Sequence, residues 1–115
     1  MYAYTADCYK YEFDLDEWTL SGTMPRAKGY GGYDSSEVWG LIMAGGYDYY
    51  SSPTTYSTVE TTNNGEVFGS LPDLPDATQD SCVVIVDQDR IFSCGGKDTS
   101  SRTLIFQKAA NSWNT

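Results

Sequence analysis

A chain of 115 residues is within the size of one domain, and 40% hydrophobic with 15% aromatic residues exclude a disordered polymer. A net charge of −9 repels nucleic acid and acidic membrane surfaces, and the lack of any histidine excludes Ser-His-Asp triads and histidine-held zinc or haem within these residues. Ten tyrosines and eleven glycines beside many serines and threonines favour strands and turns, so the expected class is all-β.

The first strands expected are short. Tyr9, Tyr11 and Phe13 alternate along an extended run that Asp14-Leu15-Asp16-Glu17 turns back towards Trp18. Residues 28–33 and 38–44 flank Asp34-Ser35-Ser36-Glu37 as a second hairpin, whose second strand ends in Gly45-Gly46. Residues 56–62 then turn at Asn63-Asn64-Gly65, residues that tolerate positive φ, into 66–71. The β-branched run Cys82-Val83-Val84-Ile85-Val86 stops at Asp87-Gln88-Asp89 and returns through residues 90–94 to a second glycine pair, Gly95-Gly96. Helix is expected at most as one turn in residues 108–111. No apolar run approaches the ~20 residues needed to span a bilayer, so no membrane insertion is expected, and the first residues lack the basic-then-apolar order of a secretory signal.

The glycine pairs define a repeat. An offset of 50 carries Gly45-Gly46 onto Gly95-Gly96, Pro25 onto Pro75 and Trp18 onto Phe68. Tyr11, Thr61 and Phe106 each stand seven residues before Trp18, Phe68 and Trp113, so three unit ends can be overlaid. Each full unit then holds four antiparallel strands. A glycine pair at a strand end fits where a side chain would collide with a neighbouring segment, or where the backbone takes a φ that only glycine adopts cheaply.

An apolar strand ending in Gly-Gly, a variable loop, a strand with an aromatic and a later Trp resemble the kelch repeat, whose period is about 50 residues. The resemblance implies kelch-type β-propeller blades of four antiparallel strands in an incomplete propeller: residues 1–25 as the second half of a blade, 26–75 as a complete blade, and 76–115 as most of a third. The sequence departs from the pattern at Phe68 in place of Trp, at Thr61 in place of an aromatic, and at Asp76 where the preceding unit has Arg26. About two and a half blades imply exposed apolar faces, with Val83, Ile85 and Ile91 at one end and Tyr9, Tyr11 and Phe13 at the other. The chain is accordingly expected to be part of a larger propeller, or to be completed by further blades from the same or another chain.

Three cysteines are too few and too scattered for a disulfide scaffold or a zinc site. If Asp87-Gln88-Asp89 forms a three-residue loop, Cys82 and Cys94 lie directly opposite on the hairpin, within disulfide range in an oxidising compartment, while Cys8 stays free or pairs elsewhere. The sequence fixes no compartment. The acidic clusters at 14–17 and 87–89 lack the ligand count of a calcium loop and read as solvated turns.

Residues 47–56 form a longer loop than 97–101, and Tyr47, Tyr49, Tyr50 and Tyr56 offer rigid contact area with polar tips. Strand order places this loop on one face with the connections at 21–26 and 70–80. The expected function is a non-catalytic scaffold that presents these loops to a protein partner, with no cofactor. The alternative implied by the resemblance is a fragment of a kelch-propeller enzyme, such as a copper carbohydrate oxidase whose catalytic residues, histidines among them, lie outside this chain.

Overall fold

The computed structural model describes residues 4–50, 54–97 and 102–115. Its strands are all antiparallel. A two-stranded sheet pairs β1 (Asp7–Glu12) with β2 (Glu17–Thr23). A four-stranded sheet follows in the order β3 (Gly32–Ser36), β4 (Gly40–Ala44), β7 (Val59–Thr62) and β8 (Gly69–Leu71). The ribbon β5 (Tyr47–Asp48) and β6 (Thr54–Thr55) projects between β4 and β7. The second four-stranded sheet runs β9 (Cys82–Ile85), β10 (Arg90–Cys94), β11 (Thr103–Gln107) and β12 (Ser112–Asn114). Among the described residues there is no helix; Asn111 closes the chain back onto Lys108 in a turn with φ of 50°.

Strand alternation decides which residues meet. On one face of the first large sheet stand Gly32, Ala44 and Val59 in one row and Asp34, Ile42 and Thr61 in the next. On the facing side of the second, Ile85, Ile91, Phe106 and Trp113 share a row, with Val83, Ser93 and Leu104 beside them. These two faces pack together, and nearly all the core lies between them: Ile42, Ala44, Val59, Val83, Ile91, Leu104, Phe106 and Trp113 are all buried. Gly32 sets the closeness of the seam, since a Cβ there would lie 2.6 Å from Val83 Cγ2 and 2.8 Å from the Ser81 carbonyl. Polar bonds fix the register of sheet on sheet. Ile85 N–H donates to Asp34 Oδ2 at 2.8 Å, Trp39 Nε1 to the Asp87 carbonyl at 2.9 Å, and Trp113 Nε1 to the Pro72 carbonyl at 2.9 Å.

Several sequence expectations are changed by this packing. Val83 and Ile91 are 6% and 0% exposed because their face is the one turned to the first sheet. The open face of the second sheet carries the alternate residues Val84, Phe92 and Ile105 instead. At the other end Tyr9 and Phe13 are exposed, as expected, and among the described residues β1 pairs with β2 alone. Asp34, Ser35 and Ser36 lie in β3 rather than in a turn; the chain reverses at 37–39 and enters β4 through Gly40, whose φ is +69°. The turn after β7 is also wider than a tight hairpin. Thr62 Oγ1 accepts Gly65 N–H and donates to the Val67 carbonyl, while Asn64 Oδ1 accepts the N–H groups of Glu66 and Val67. The wider loop breaks one landmark by one residue: Tyr11 faces Trp18 and Phe106 faces Trp113, but Thr61 faces Gly69 and not Phe68.

The glycine pairs are equivalent in conformation. Gly45 and Gly46 have φ of +69° and +123°, Gly95 and Gly96 of +67° and +109°. Gly45 N–H donates to the Thr58 carbonyl and Gly95 N–H to the Arg102 carbonyl, so each pair closes its second strand onto the third in the same way.

The face of the first large sheet away from the seam buries charge. Glu60 is 2% exposed, its Oε2 is 2.5 Å from Lys28 Nζ, and its Oε1 is 3.5 Å from Arg26 Nη1. Burial pushes the Lys28 ammonium below its ordinary pKa, and the Glu60 contacts push back.

Two measurements test this account. Gly45→Ala places a Cβ at positive φ and 2.4 Å from the Thr78 carbonyl, whereas Gly65→Ala at φ +73° meets only Ser21 Oγ at 3.3 Å. Thermal unfolding should therefore show Gly65→Ala costing about 1 kcal/mol and Gly45→Ala about 3 kcal/mol or more. Glu60→Gln leaves the Lys28 charge buried without its counter-ion and should cost about 3 kcal/mol in denaturant unfolding. With its folded pKa below the unfolded one, Lys28 is protonated more readily in the unfolded chain, so its contribution makes stability rise with pH across the alkaline window between the two values.

Candidate functional site

Beyond Gly46 the chain leaves the sheet as the β5–β6 ribbon. Tyr47 pairs with Thr55 and Asp48 with Thr54, and Tyr47 also bridges to Gly29 through reciprocal bonds of 3.0 and 2.8 Å. The buried Asp48 accepts Tyr50 N–H at 3.0 Å, an Asx-type contact where the chain leaves β5. Tyr49 and Tyr50 are left 59% and 50% exposed, their rings edge-to-face with centroids 5.3 Å apart.

The ribbon forms one wall of a cleft of about 590 Å³. Tyr4 and Tyr30 form another, and Gln79, Asp80 and Lys97 close it. The Tyr4 ring stands edge-on to Tyr30 at 6.1 Å and to Tyr50 at 5.4 Å. Its phenol is pushed up to about 12, first by desolvation, then by the hydrogen bond and charge interaction with Tyr30. The polar wall is held by backbone: Asp80 N–H donates to the Tyr30 carbonyl at 2.7 Å and Lys97 N–H to the Gln79 carbonyl at 2.9 Å. Tyr30 and Asp80 both take φ of +57°, so this connection is bent at two non-glycine residues.

Of the four tyrosines that the sequence singles out, Tyr47, Tyr49 and Tyr50 line the cleft. Tyr56 does not line it; its ring lies beneath Lys28 Nζ at 5.9 Å, and its backbone bonds Gly46 and Thr78. Residues 51–53 of the loop, and 98–101 of the shorter loop, lie outside the described residues. The connection at 70–80 does reach the same surface, through Gln79 and Asp80. The connection at 21–26 contributes Met24 to an adjoining apolar hollow of about 200 Å³ that shares Tyr30. Tyr4, Tyr30 and Lys97 were not legible as site residues, although the glycines around Tyr30 in Gly29-Tyr30-Gly31-Gly32 hint at a special backbone there.

The motif aromatics have unequal fates. Trp113 is 7% exposed, Phe68 is half-buried, and Trp18 is 68% exposed against Tyr11, with ring centroids 5.5 Å apart. In the acidic clusters, Tyr11 Oη donates to Asp16, and Arg90 donates to Asp87 Oδ2 at 3.0 and 2.7 Å. Arg90 first, then the Asp89 N–H, holds the Asp87 carboxyl below its usual range. Both clusters thus hold their turns. Cys82 faces Cys94 in the register that a three-residue loop predicts, Val84 faces Phe92, and Val86 N–H bonds the Arg90 carbonyl; both thiols are free. The Val86–Arg90 bond makes Cys82 and Cys94 a hydrogen-bonded pair, for which Cα atoms stand about 5.5 Å apart. No protein family and no curated protein matches the chain.

A spectrophotometric titration should show one tyrosine ionising last, and Tyr4→Phe should remove that step. Because this phenol loses its proton less readily in the folded chain, stability should fall as pH rises from the model-peptide value of 10.0 towards about 12, and less steeply in Tyr4→Phe. Mild oxidation followed by peptide mapping should join Cys82 to Cys94 and leave Cys8 unlinked.

Proposed function

We propose that this chain is a non-catalytic interaction module of kelch-type blades that presents its tyrosine cleft to a protein partner. The observation that carries the reading is convergence. Five tyrosines from three separated segments, at positions 4, 30 and 47–50, meet in one open cleft on backbone supports. Tyrosine gives wide contact with little side-chain entropy to lose, and each phenol adds a hydrogen-bonding tip, so such a surface suits protein recognition. Lys97 and Asp80 on the polar wall add charges of both signs for register.

Support for blades comes from the two glycine pairs in one conformation and from the aromatic pairs Tyr11–Trp18 and Phe106–Trp113, each directly opposed across strands. The first strands of the two large sheets, β3 and β9, also lie against each other, as the inner strands of neighbouring blades do.

The test is selection of binders from a displayed peptide library on the folded chain, followed by titration of variants. Tyr49→Ser and Tyr50→Ser should each lower affinity about tenfold or more, as for central interface aromatics, and Tyr56→Ser should leave it within about threefold. Unchanged affinity in a Tyr47→Ser, Tyr49→Ser, Tyr50→Ser triple variant with wild-type unfolding temperature would refute the reading. Turnover of a carbohydrate with added copper would replace it with the oxidase alternative.

A further inference from the structure

Tyr30 takes φ of +57° although Gly29 and Gly31 stand on either side of it. A glycine would adopt this φ without strain, so the backbone gives no reason for a tyrosine at position 30. What the strain achieves is the placing of a ring: Tyr30 is 59% exposed and lines the tyrosine cleft. The bond from Asp80 N–H to the Tyr30 carbonyl, at 2.7 Å, ties a carboxylate-bearing residue to the same point. Asp80 and Lys97 both line the cleft, yet among the described residues neither has an ion-pair partner. The tyrosines around them meet edge to face, Tyr4 with Tyr30 at 85° and Tyr49 with Tyr50 at 82° between ring planes. Such a pair covers one ring face where a stacked pair covers two, so π surface stays open to a ligand.

We propose that the partner is anchored in this cleft by an arginine side chain, its guanidinium lying on a tyrosine face and its N–H groups donating to the Asp80 carboxylate. The inference rests on the protein-docking reading above and names the chemistry of the partner. Arginine joins the two requirements in one group, because its guanidinium is a planar, weakly hydrated cation that stacks on aromatic rings and forks a carboxylate. A lysine ammonium is a strongly hydrated point charge with no flat surface to lay on a ring. A trimethylated lysine suits the rings but has no N–H left for Asp80. The net charge of −9 draws a cationic segment towards the chain, and the carboxylate and ring faces then select among cations. Lys97 opposes a second positive charge in the same cleft, so a segment carrying one arginine fits better than a basic run.

The probe is N-acetyl-arginine methylamide, titrated into the full chain and followed through backbone amide chemical shifts, with the lysine and trimethyllysine analogues alongside. The arginine compound should shift the amides of Tyr30, Tyr50 and Asp80 saturably and bind about fivefold or more tighter than either analogue. Asp80→Asn keeps the N–H bond to Tyr30 and tolerates the positive φ, and Tyr30→Gly relieves the strain at +57°, so neither should lower the unfolding temperature. Each should weaken the arginine compound about fivefold or more, whereas Lys97→Ala should tighten it. Equal binding of the three compounds, the absence of a saturable shift at these amides, or affinity that Asp80→Asn leaves intact overturns the proposal. Library peptides that weaken on the Tyr47→Ser, Tyr49→Ser, Tyr50→Ser triple variant but carry no arginine would overturn it while the docking reading stands. Peptides indifferent to that triple variant would overturn both.

Discussion

The carbonyl of Thr78 joins the parts of this molecule. It accepts Gly46 N–H at 2.8 Å, and a Cβ on Gly45 would stand 2.4 Å from it, so the contact exists only because the strand ends in two glycines. Thr78 is itself fully buried, and its N–H donates to the Tyr56 carbonyl. The connection between the two large sheets is thereby clamped to the end of β4 and the start of the third strand. Its next residues, Gln79 and Asp80, are delivered to the cleft by the same clamp. A local rule about backbone conformation, that glycine alone takes these φ values without strain, is converted into the position of a surface.

Charge is distributed unevenly over this framework. The chain carries 16 acidic and 7 basic residues, yet two of the basic ones, Arg26 and Lys28, converge on one buried carboxylate, that of Glu60. A buried ion pair contributes little net stability, because desolvation offsets the attraction, but its members cannot be separated cheaply. It therefore acts as a constraint that holds the connection preceding β3 against β7. Tyr56 lies under the same ammonium, so a residue with the composition of a recognition side chain is used to cover a buried charge.

How much of this was legible depended on whether a feature is local. The register of the 82–94 hairpin followed from counting residues about Gln88, because a turn of fixed length leaves no freedom in an antiparallel pair. The turn after β7 resisted the same counting. Thr62 and Asn64 side chains wrap it into a wider loop, which shifts Phe68 off Thr61 by one place. Face assignment failed at Val83, Ile85 and Ile91 for a related reason: alternation says that Val83 and Val84 point to opposite sides, and only the neighbouring sheet decides which side is inside.

By itself, the sequence determined the all-β class, the 50-residue spacing, the equivalence of the two glycine pairs and the long tyrosine-rich connection, because strand periodicity, turn chemistry and positive-φ demand act over a few residues. Tertiary structure decided that Tyr4, Tyr30 and Lys97 join the β5–β6 ribbon while Tyr56 leaves it, that Gly32 lets the sheets close on Val83, and that one aromatic of the motif is core and another surface. Those outcomes are sums of contacts between segments far apart in the chain, and no local pattern of residues carries the distances between them.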